Sequence, residues 1–259
     1  ELRDLDWFIQ QKKENENVSI INITNDYGVL VLAGPKSRDV LSSLTNEDLS
    51  NTNFPWLKGK EILIDDIPVR ALRINYVGEL GWELHHPMKQ MDKLYNMILK
   101  EGKKFNISNF GTYAVNSLRI EKAYKGWGSE LTGEISLLES DMKRFYNLDI
   151  KNNFIGAKAL IEKAKNKLEI KIVYLEIDND QEDSDAIGNE PVYFKDNIVG
   201  VITSGGYGFR VKKSLAFAYV QADLAKAGIE LSVKILGSFR KAIVLNEMAY
   251  DPKNARLCL

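Results

Sequence analysis

The last third of the chain is a succession of short apolar stretches separated by turn residues, and this pattern constrains the fold most. The lysine-rich segment KAKNKLEIK is followed by the stretches IKIVYLEI, PVYFKDNIVGVITSGGYG, SLAFAYV and LSVKILGSFRKAIV. Closely spaced strands of this kind are typical of a small β-barrel or sandwich. The sequence therefore predicts a C-terminal β-domain over residues 167–259.

The preceding part of the chain mixes strands and helices, which predicts an α+β domain over residues 1–166. YGVLVLAG is an unbroken apolar run, typical of a sheet covered on both faces, and EILIDDIPVRALRINYVG indicates further strands. Apolar residues at helical spacing predict core-facing helices after Pro35, from Met88 to Gly102, after Thr112, and from Gly156 to Asn166. The helix after Thr112 is predicted to bury Tyr113, Ala114, Ser117, Leu118 and Ala123.

Composition excludes several classes of protein. Lys and Arg total 35 against 36 Asp and Glu, so a net charge of -1 gives no field that would recruit nucleic acid or an anionic membrane. No stretch approaches the roughly 20 apolar residues that cross a bilayer. The single cysteine, Cys258, excludes an internal disulfide and fits a reducing compartment, so we expect the cytoplasm or an organelle matrix.

The first residues predict an amphipathic helix that starts at once, without the residues that usually precede a helix. Apolar residues recur at helical spacing from the start, at Leu2, Leu5, Phe8 and Ile9, and the chain has no initiator Met. We therefore expect this chain to be a piece of a longer polypeptide.

The segment NYVGELGWELH, from Asn75 to His85, predicts a turn at Gly78–Gly81 followed by an extended stretch. Alternation in that stretch places Trp82 and Leu84 on one face, and Glu83 and His85 on the other. If the second face meets water, these two side chains need no function. If it lines a cavity, the carboxylate of Glu83 suits a ligand with adjacent N–H donors, such as the 2-amino-4-oxo edge of a pterin. The pattern alone leaves both interpretations open.

Other motifs favour structural roles. The neighbours His85 and His86 point to opposite faces of a strand, which does not predict a metal site, and no pattern predicts a catalytic nucleophile. The glycines of TSGGYGFRVKKS lie between strands and predict a hairpin turn, not a dinucleotide loop. Arg119 and Glu121 are predicted to be structural tethers. The two glycines beside Trp127 would let a ligand approach its ring, although the pattern favours a core aromatic.

Five separated segments together resemble the glycine-cleavage T-protein (aminomethyltransferase) family, and most closely the folate-binding C-terminal half of dimethylglycine and sarcosine dehydrogenases. They are DYGVLVLAGPKSRDVL, INYVGELGWELHHP, FGTYAVNSLRIEKAYKGWGSEL, NNFIGAKAL and TSGGYGFRVKKSLAFAYV. The resemblance implies an α+β fold, namely part of a folate-binding aminomethyltransferase-like domain followed by a C-terminal β-barrel. It also implies a central cavity for tetrahydrofolate.

The resemblance implies a set of folate-binding residues. Glu83 would hold the pterin, Tyr76 would lie against the folate, and Leu84 and His85 would complete the pocket. The set also includes Trp127, Arg144 and Arg256, and the arginine of NARLCL suits the carboxylate of the folate tail.

Departures from the family concern three positions. Val115 stands where T-proteins have a folate-contacting arginine, and Arg144 stands where the dehydrogenases have a tyrosine. The catalytic aspartate of the family lies in an N-terminal segment that these residues do not include. The resemblance therefore assigns no catalytic residue here.

The resemblance implies the tetrahydrofolate-binding portion of a demethylating dehydrogenase. In such an enzyme an upstream flavin domain oxidises a small N-methyl amine, and folate captures the carbon as 5,10-methylenetetrahydrofolate. FAD is expected only if that flavin domain exists. The alternatives are a stand-alone aminomethyltransferase, which receives its carbon from a lipoyl carrier protein, and a non-catalytic folate-binding module.

Overall fold

The computed structural model describes residues 1–148, 154–180 and 182–259, and its contacts group the chain into two compact units. The first unit contains residues 1–75, 79–108 and 257–259, and the second contains residues 76–78 and 109–256. The first two residues of NNFIGAKAL, Asn152 and Asn153, lie outside the described residues. The predicted domain boundary after Asn166 stays a prediction.

A four-stranded antiparallel sheet in the order β1-β4-β3-β2 forms the centre of the first unit. Its strands are β1 (Tyr27–Ala33), β2 (Gly59–Ile64), β3 (Ile67–Leu72) and β4 (Gly81–Pro87). Alternate residues of β3 and β4 enter an apolar core, among them Val69, Ala71, Trp82 and Leu84. The intervening residues of β3 and β4 lie on the opposite face of the sheet.

Helices of the first unit are α1 (Leu2–Gln11), α2 (Ser37–Ser42) and α3 (Met91–Gly102). The helices predicted after Pro35 and up to Gly102 are confirmed, because Val40, Leu41, Leu94 and Ile98 pack into the apolar core. The helix predicted at the N-terminus is also present, although α1 buries none of its residues.

Two strand predictions for this unit were wrong. The apolar run of β1 is covered on only one face, since Val29 and Val31 are each 44% exposed on an edge strand. The same face is open on the neighbouring strand β4, where Glu83 and His85 lie opposite Val31 and Val29, so only alternate residues of β1 such as Leu32 reach the core. The predicted strand through RINYVG is absent from the described residues, because β3 ends at Leu72 and the next strand begins at Gly81.

A closed β-barrel in the order β10-β5-β8-β7-β6-β9 dominates the second unit. This finding confirms the predicted C-terminal β-barrel. Its strands are β5 (Ile170–Ile177), β6 (Pro191–Phe194), β7 (Asn197–Gly208), β8 (Lys213–Gln221), β9 (Glu230–Ile235) and β10 (Ser238–Val244).

The helices α4 (Thr112–Glu121) and α5 (Ala157–Lys165) belong to the second unit, and α5 confirms the predicted helix from Gly156. A second apolar cluster joins Ile120 of α4 to Tyr174 and Phe217 of the barrel. Strands β5 and β8 therefore bury both of their faces, one inside the barrel and one against this cluster.

Two predictions for the second unit were only partly right. Tyr113 is 94% exposed and Ala114 is also exposed, because α4 buries its last turn, Arg119 to Glu121, whereas Ala123 beyond the helix packs against the apolar cluster. The hairpin turn predicted within TSGGYGFRVKKS is confirmed at residues 209–212, but the glycines lie before it, within β7. Glycine is needed there because a Cβ on Gly205 would lie 2.2 Å from the carbonyl oxygen of Ala186.

Among the helices of the described residues, none combines the length and the apolar character needed to span a membrane.

Candidate functional site

Glu83 and His85 lie side by side on the open face of the first unit's sheet. They project from β4 opposite to Trp82 and Leu84, which confirms the predicted alternation. The carboxylate Oε2 of Glu83 lies 3.1 Å from the Nε2 of His85, and the two side chains are 29% and 30% exposed. Both side chains are thus accessible from this face.

Apolar side chains flank Glu83 on both neighbouring strands. Val31 of β1 and Leu72 of β3 lie opposite Glu83 in the sheet register. Arg70, opposite His85, is engaged by Glu61, whose Oε1 accepts a hydrogen bond of 2.9 Å. Within the part of the chain that the structure describes, Glu83 therefore has His85 as its polar partner, and its second carboxylate oxygen, Oε1, has no hydrogen-bond partner.

Leu84 and His86 face the other way. The Leu84 side chain is fully buried in the apolar core, so it cannot contact a ligand that binds beside Glu83. Only the backbone of Leu84 lies beside Glu83, and the expectation that Leu84 completes the pocket stays a prediction that depends on this backbone. His86 is also fully buried, with Nδ1 2.9 Å from the carbonyl oxygen of Leu84, so His85 and His86 do not converge.

Tyr76 belongs to the second unit and is held by the residues that follow α4. Its hydroxyl donates a hydrogen bond of 2.8 Å to the carbonyl oxygen of Lys125, and its ring stacks on Tyr124 at 5.7 Å. Burial raises the pKa of the Tyr76 hydroxyl, so it stays protonated and remains a donor. The ring is nevertheless 39% exposed.

Gly78 lies close to the end of α4 and has a φ of +77°. A Cβ at this position would lie 2.1 Å from Cγ of the fully buried Lys122. Both the backbone conformation and the contact therefore require glycine.

Trp127 is 77% exposed, so the predicted core role was wrong. Its loop is supported from within, because the carboxylate Oε2 of Glu130 accepts a 2.7 Å hydrogen bond from the backbone N–H of Gly126. A backbone bridge from Trp127 to Leu131 closes the loop. The indole ring is thus presented to solvent by a fixed backbone.

Glu130 is the centre of a buried network that the sequence did not reveal. Its side chain is fully buried and accepts hydrogen bonds from Arg119 at 3.1 Å and from Ser204 at 2.5 Å. Thr203 and Ser129 donate two more, at 2.7 Å and 3.0 Å. Burial opposes ionisation, but the hydrogen bonds and the guanidinium of Arg119 outweigh it and lower the pKa of Glu130.

Arg119 and Glu121 confirm the prediction that they are structural tethers. Arg119 donates a hydrogen bond to Glu130 and another, of 2.7 Å, to the hydroxyl of Ser204. Glu121 accepts a 2.7 Å hydrogen bond from the backbone N–H of Arg210. The two side chains reach different segments, as expected for residues two apart on a helix.

The segment around Arg256 is anchored through Lys122. The ammonium group of Lys122 donates a hydrogen bond of 2.7 Å to the carbonyl oxygen of Asp251 and one of 2.9 Å to the amide oxygen of Asn254. The carboxylate of Asp251 in turn accepts a 2.9 Å hydrogen bond from the backbone N–H of Arg256. This turn leaves the Arg256 side chain exposed.

Arg144 is also exposed, and its guanidinium lies 4.7 Å from the ring centroid of Phe145. The structure thus brings Glu83 and His85 together in the first unit. In the second unit Tyr76 lies at the base of the Trp127 loop, while Arg144 and Arg256 stand on separate exposed segments. Val115, the departure on α4, is half-buried.

Two domain families match the chain in succession. The GCVT N-terminal domain matches residues 1–150, and the glycine cleavage T-protein C-terminal barrel domain matches residues 171–251. The second match agrees with the closed barrel described above.

Curated relatives include two kinds of mitochondrial dehydrogenase. Mitochondrial dimethylglycine dehydrogenase of Mus musculus is 42% identical over 99% of this chain, and mitochondrial sarcosine dehydrogenase of the same organism is 30% identical over 92%. The chain spans only 30% and 26% of their lengths. An aminomethyltransferase of Alkaliphilus oremlandii is 29% identical over 96% of the chain, which covers 66% of that protein.

A solved structure shares the fold. The glycine cleavage system aminomethyltransferase T from Bartonella henselae superposes with a TM-score of 0.76 over 87% of this chain and 60% of its own. Its sequence identity is 23%, so the likeness concerns the fold alone. Because the two domain families together account for most of the residues in the expected order, the chain belongs to the glycine cleavage T-protein family.

Proposed function

We propose that this chain is the tetrahydrofolate-binding portion of an oxidative demethylase of the dimethylglycine and sarcosine dehydrogenase type. The observation that carries the proposal is the identity of 42% to a dimethylglycine dehydrogenase along 99% of the chain, against 29% for an aminomethyltransferase. In this proposal an upstream flavin domain, with FAD, oxidises a small N-methyl amine. The carbon is then captured as 5,10-methylenetetrahydrofolate.

The open face around Glu83 fits one edge of a pterin. The carboxylate has an oxygen without a partner among the described residues, and paired N–H donors on the ligand would occupy both oxygens. The apolar flanks Val31 and Leu72 suit a flat heterocycle. His85, at 3.1 Å, would hold the carboxylate in place.

The second unit, considered by itself, also exposes groups that suit parts of folate. The exposed rings of Tyr76 and Trp127 suit the aromatic parts of folate, and the guanidinium groups of Arg144 and Arg256 suit its tail carboxylates. When bound, tetrahydrofolate supplies the nitrogens that accept the one-carbon unit. The residues of this chain would orient it, and we assign no catalytic residue among them.

The second candidate is a stand-alone aminomethyltransferase that accepts its carbon from a lipoyl carrier protein. It is favoured by the identity of 29–30% to bacterial aminomethyltransferases, of which the chain covers 66%. The purified longer protein separates the two candidates. Bound flavin absorbance and oxidation of dimethylglycine support the first, whereas ammonia release from an aminomethyl-lipoyl carrier, without flavin, supports the second.

We also propose the mitochondrial matrix as the location, because the dehydrogenase relatives are mitochondrial proteins. Protease protection of the protein in isolated mitochondria, lost only when both membranes are opened, is the expected result. Recovery in the cytosolic fraction would contradict this proposal.

Calorimetric titration with tetrahydrofolate tests the proposed function. We expect saturable binding at one site by this chain or by the longer protein that contains it. Absence of binding heat and of ligand-dependent thermal stabilisation in both proteins would overturn all folate proposals.

A further inference from the structure

A small cavity on the second unit is lined by a lysine that has no polar partner for its side chain. The cavity measures about 270 Å³ and lies among β5, β8, the segment after α4 and residues 244–248. This volume is slightly below the ~300–1,000 Å³ of pockets for drug-sized ligands, so the cavity suits a smaller molecule.

Lys125 supplies the cation of this cavity. Among the described residues its ammonium group forms no hydrogen bond or ion pair, and it lies 5.9 Å from the ring centroid of Phe217. Burial lowers the pKa of Lys125, because an ammonium group loses hydration there. An anion bound beside Lys125 would restore that lost stabilisation.

The other charges of the lining leave Lys125 available. Asp141 is engaged by Lys171, whose ammonium lies 3.4 Å from its carboxylate. Glu247 also lines the cavity but is exposed and forms no ion pair with Lys125. Charges of both signs act on Lys125 after burial: Asp141 and Glu130 raise its pKa, and Arg144 and Lys171 lower it. Because none of these carboxylates forms an ion pair with the ammonium group in the described residues, it remains available to an incoming anion.

The remaining lining combines polar and apolar groups, and its apolar part limits the kind of anion. Leu245 and Met248 are half-buried and offer aliphatic surface, whereas the rings of Phe217 and Tyr174 are almost fully buried behind the cavity wall. A strongly hydrated ion such as phosphate gains nothing from such a surface, whereas a hydrocarbon body does.

We propose that this cavity binds a small organic carboxylate, with the carboxylate on Lys125 and a short apolar body against Leu245 and Met248. The site consists of residues outside the predicted folate set. The proposal is therefore independent of the proposed function and can fail while that function stands.

Sodium butyrate is the probe, followed by NMR shifts of the backbone amides from Leu245 to Met248 and of the Lys125 Cε in the wild-type chain. Two compounds serve as controls. Butyramide has the same hydrocarbon chain without the negative charge, and inorganic phosphate has negative charge without a hydrocarbon chain. We expect saturable shifts with butyrate and much smaller ones with the two controls. Equal responses to butyramide or phosphate, or no saturable response to butyrate, would overturn the proposal.

Substitutions of Lys125 provide a second test. Lys125→Met should weaken butyrate binding by at least about tenfold, since it removes a charged hydrogen bond, and Lys125→Arg should retain most of the affinity. Lys167→Met is the matched control, because Lys167 is an exposed lysine paired with Asp223 outside the cavity. Unchanged affinity in a folded Lys125→Met protein would overturn the proposal. If that variant does not fold, the wild-type response of the Lys125 Cε decides.

Discussion

Glu83 in the first unit and Glu130 in the second are glutamates beside apolar packing, yet their hydrogen bonding differs. Glu130 is fully buried and accepts hydrogen bonds from four side chains and one backbone N–H. Glu83 is 29% exposed and contacts one imidazole ring. A carboxylate whose acceptor positions are filled stabilises the fold, whereas a carboxylate that has an oxygen without a hydrogen-bond partner can bind a ligand.

The difference also separates a structural role from a proposed binding role. The network around Glu130 fixes the loop that carries Trp127, through the 2.7 Å hydrogen bond to Gly126. Glu83 has no comparable structural task in the described residues. We therefore expect substitutions of Glu130 to change stability and substitutions of Glu83 to change binding.

Glu130→Gln should have the largest effect on stability. It leaves the buried Arg119 without a counter-ion and turns an amide donor towards other donors, which should cost about 3–5 kcal/mol. Urea unfolding measures the change, and Glu61→Gln, which alters an exposed ion pair with Arg70, should cost less than about 1 kcal/mol. A loss below about 1 kcal/mol for Glu130→Gln would remove the contrast between the two carboxylates.

The stabilisation by Glu130 should depend on pH. Its pKa is lowered below the ordinary 4.5, so this stabilisation is fully present above that value and is lost as the pH falls through the folded-state pKa. The stability difference between wild type and Glu130→Gln should therefore be constant from pH 7 to about 5.5 and shrink in more acidic solution. A difference that grows on acidification would contradict the charged state of Glu130.

Tyr76→Phe should have a smaller effect. The ring stays stacked on Tyr124, but the carbonyl oxygen of Lys125 loses its donor, which should cost about 0.5–1.5 kcal/mol. The control is Tyr113→Phe at a side chain that is 94% exposed, for which we expect no measurable change in urea unfolding. Equal unfolding midpoints for Tyr76→Phe and wild type would mean that this hydroxyl does not anchor the segment.

Glu83→Gln should have the smallest effect on stability. The contact with His85 is partly exposed, so its loss should change the free energy of unfolding by less than about 1 kcal/mol. Thermal unfolding without ligand measures this change. A cost near that of Glu130→Gln would assign Glu83 a structural role.

Much of the fold could be predicted because it depends on local periodicity. Strand β5 has the bounds of the apolar stretch IKIVYLEI, and α3 ends at the predicted Gly102. The alternation along β4 also predicts correctly that Glu83 and His85 share one face. Side-chain period in a strand is a local property and needs no knowledge of the partner strands.

What could not be predicted depends on contacts between distant residues. Glu130 is bonded to Ser204, which is 74 positions away, and nothing in the local pattern distinguishes it from a surface glutamate. Trp127 is exposed although its type favours the core, because its loop is fixed by that same buried carboxylate. The exposed face of β1 was missed for a similar reason, since the segments that cover one face of a sheet and not the other are distant in sequence.

Calorimetric titration of wild type and Glu83→Gln with tetrahydrofolate tests the central claim most directly. The substitution sets an amide donor against the amino group of the pterin, so we expect binding to weaken by about 1–3 kcal/mol, or roughly 5- to 150-fold, while unfolding is nearly unchanged. An unchanged dissociation constant would contradict the assignment of Glu83 to the pterin.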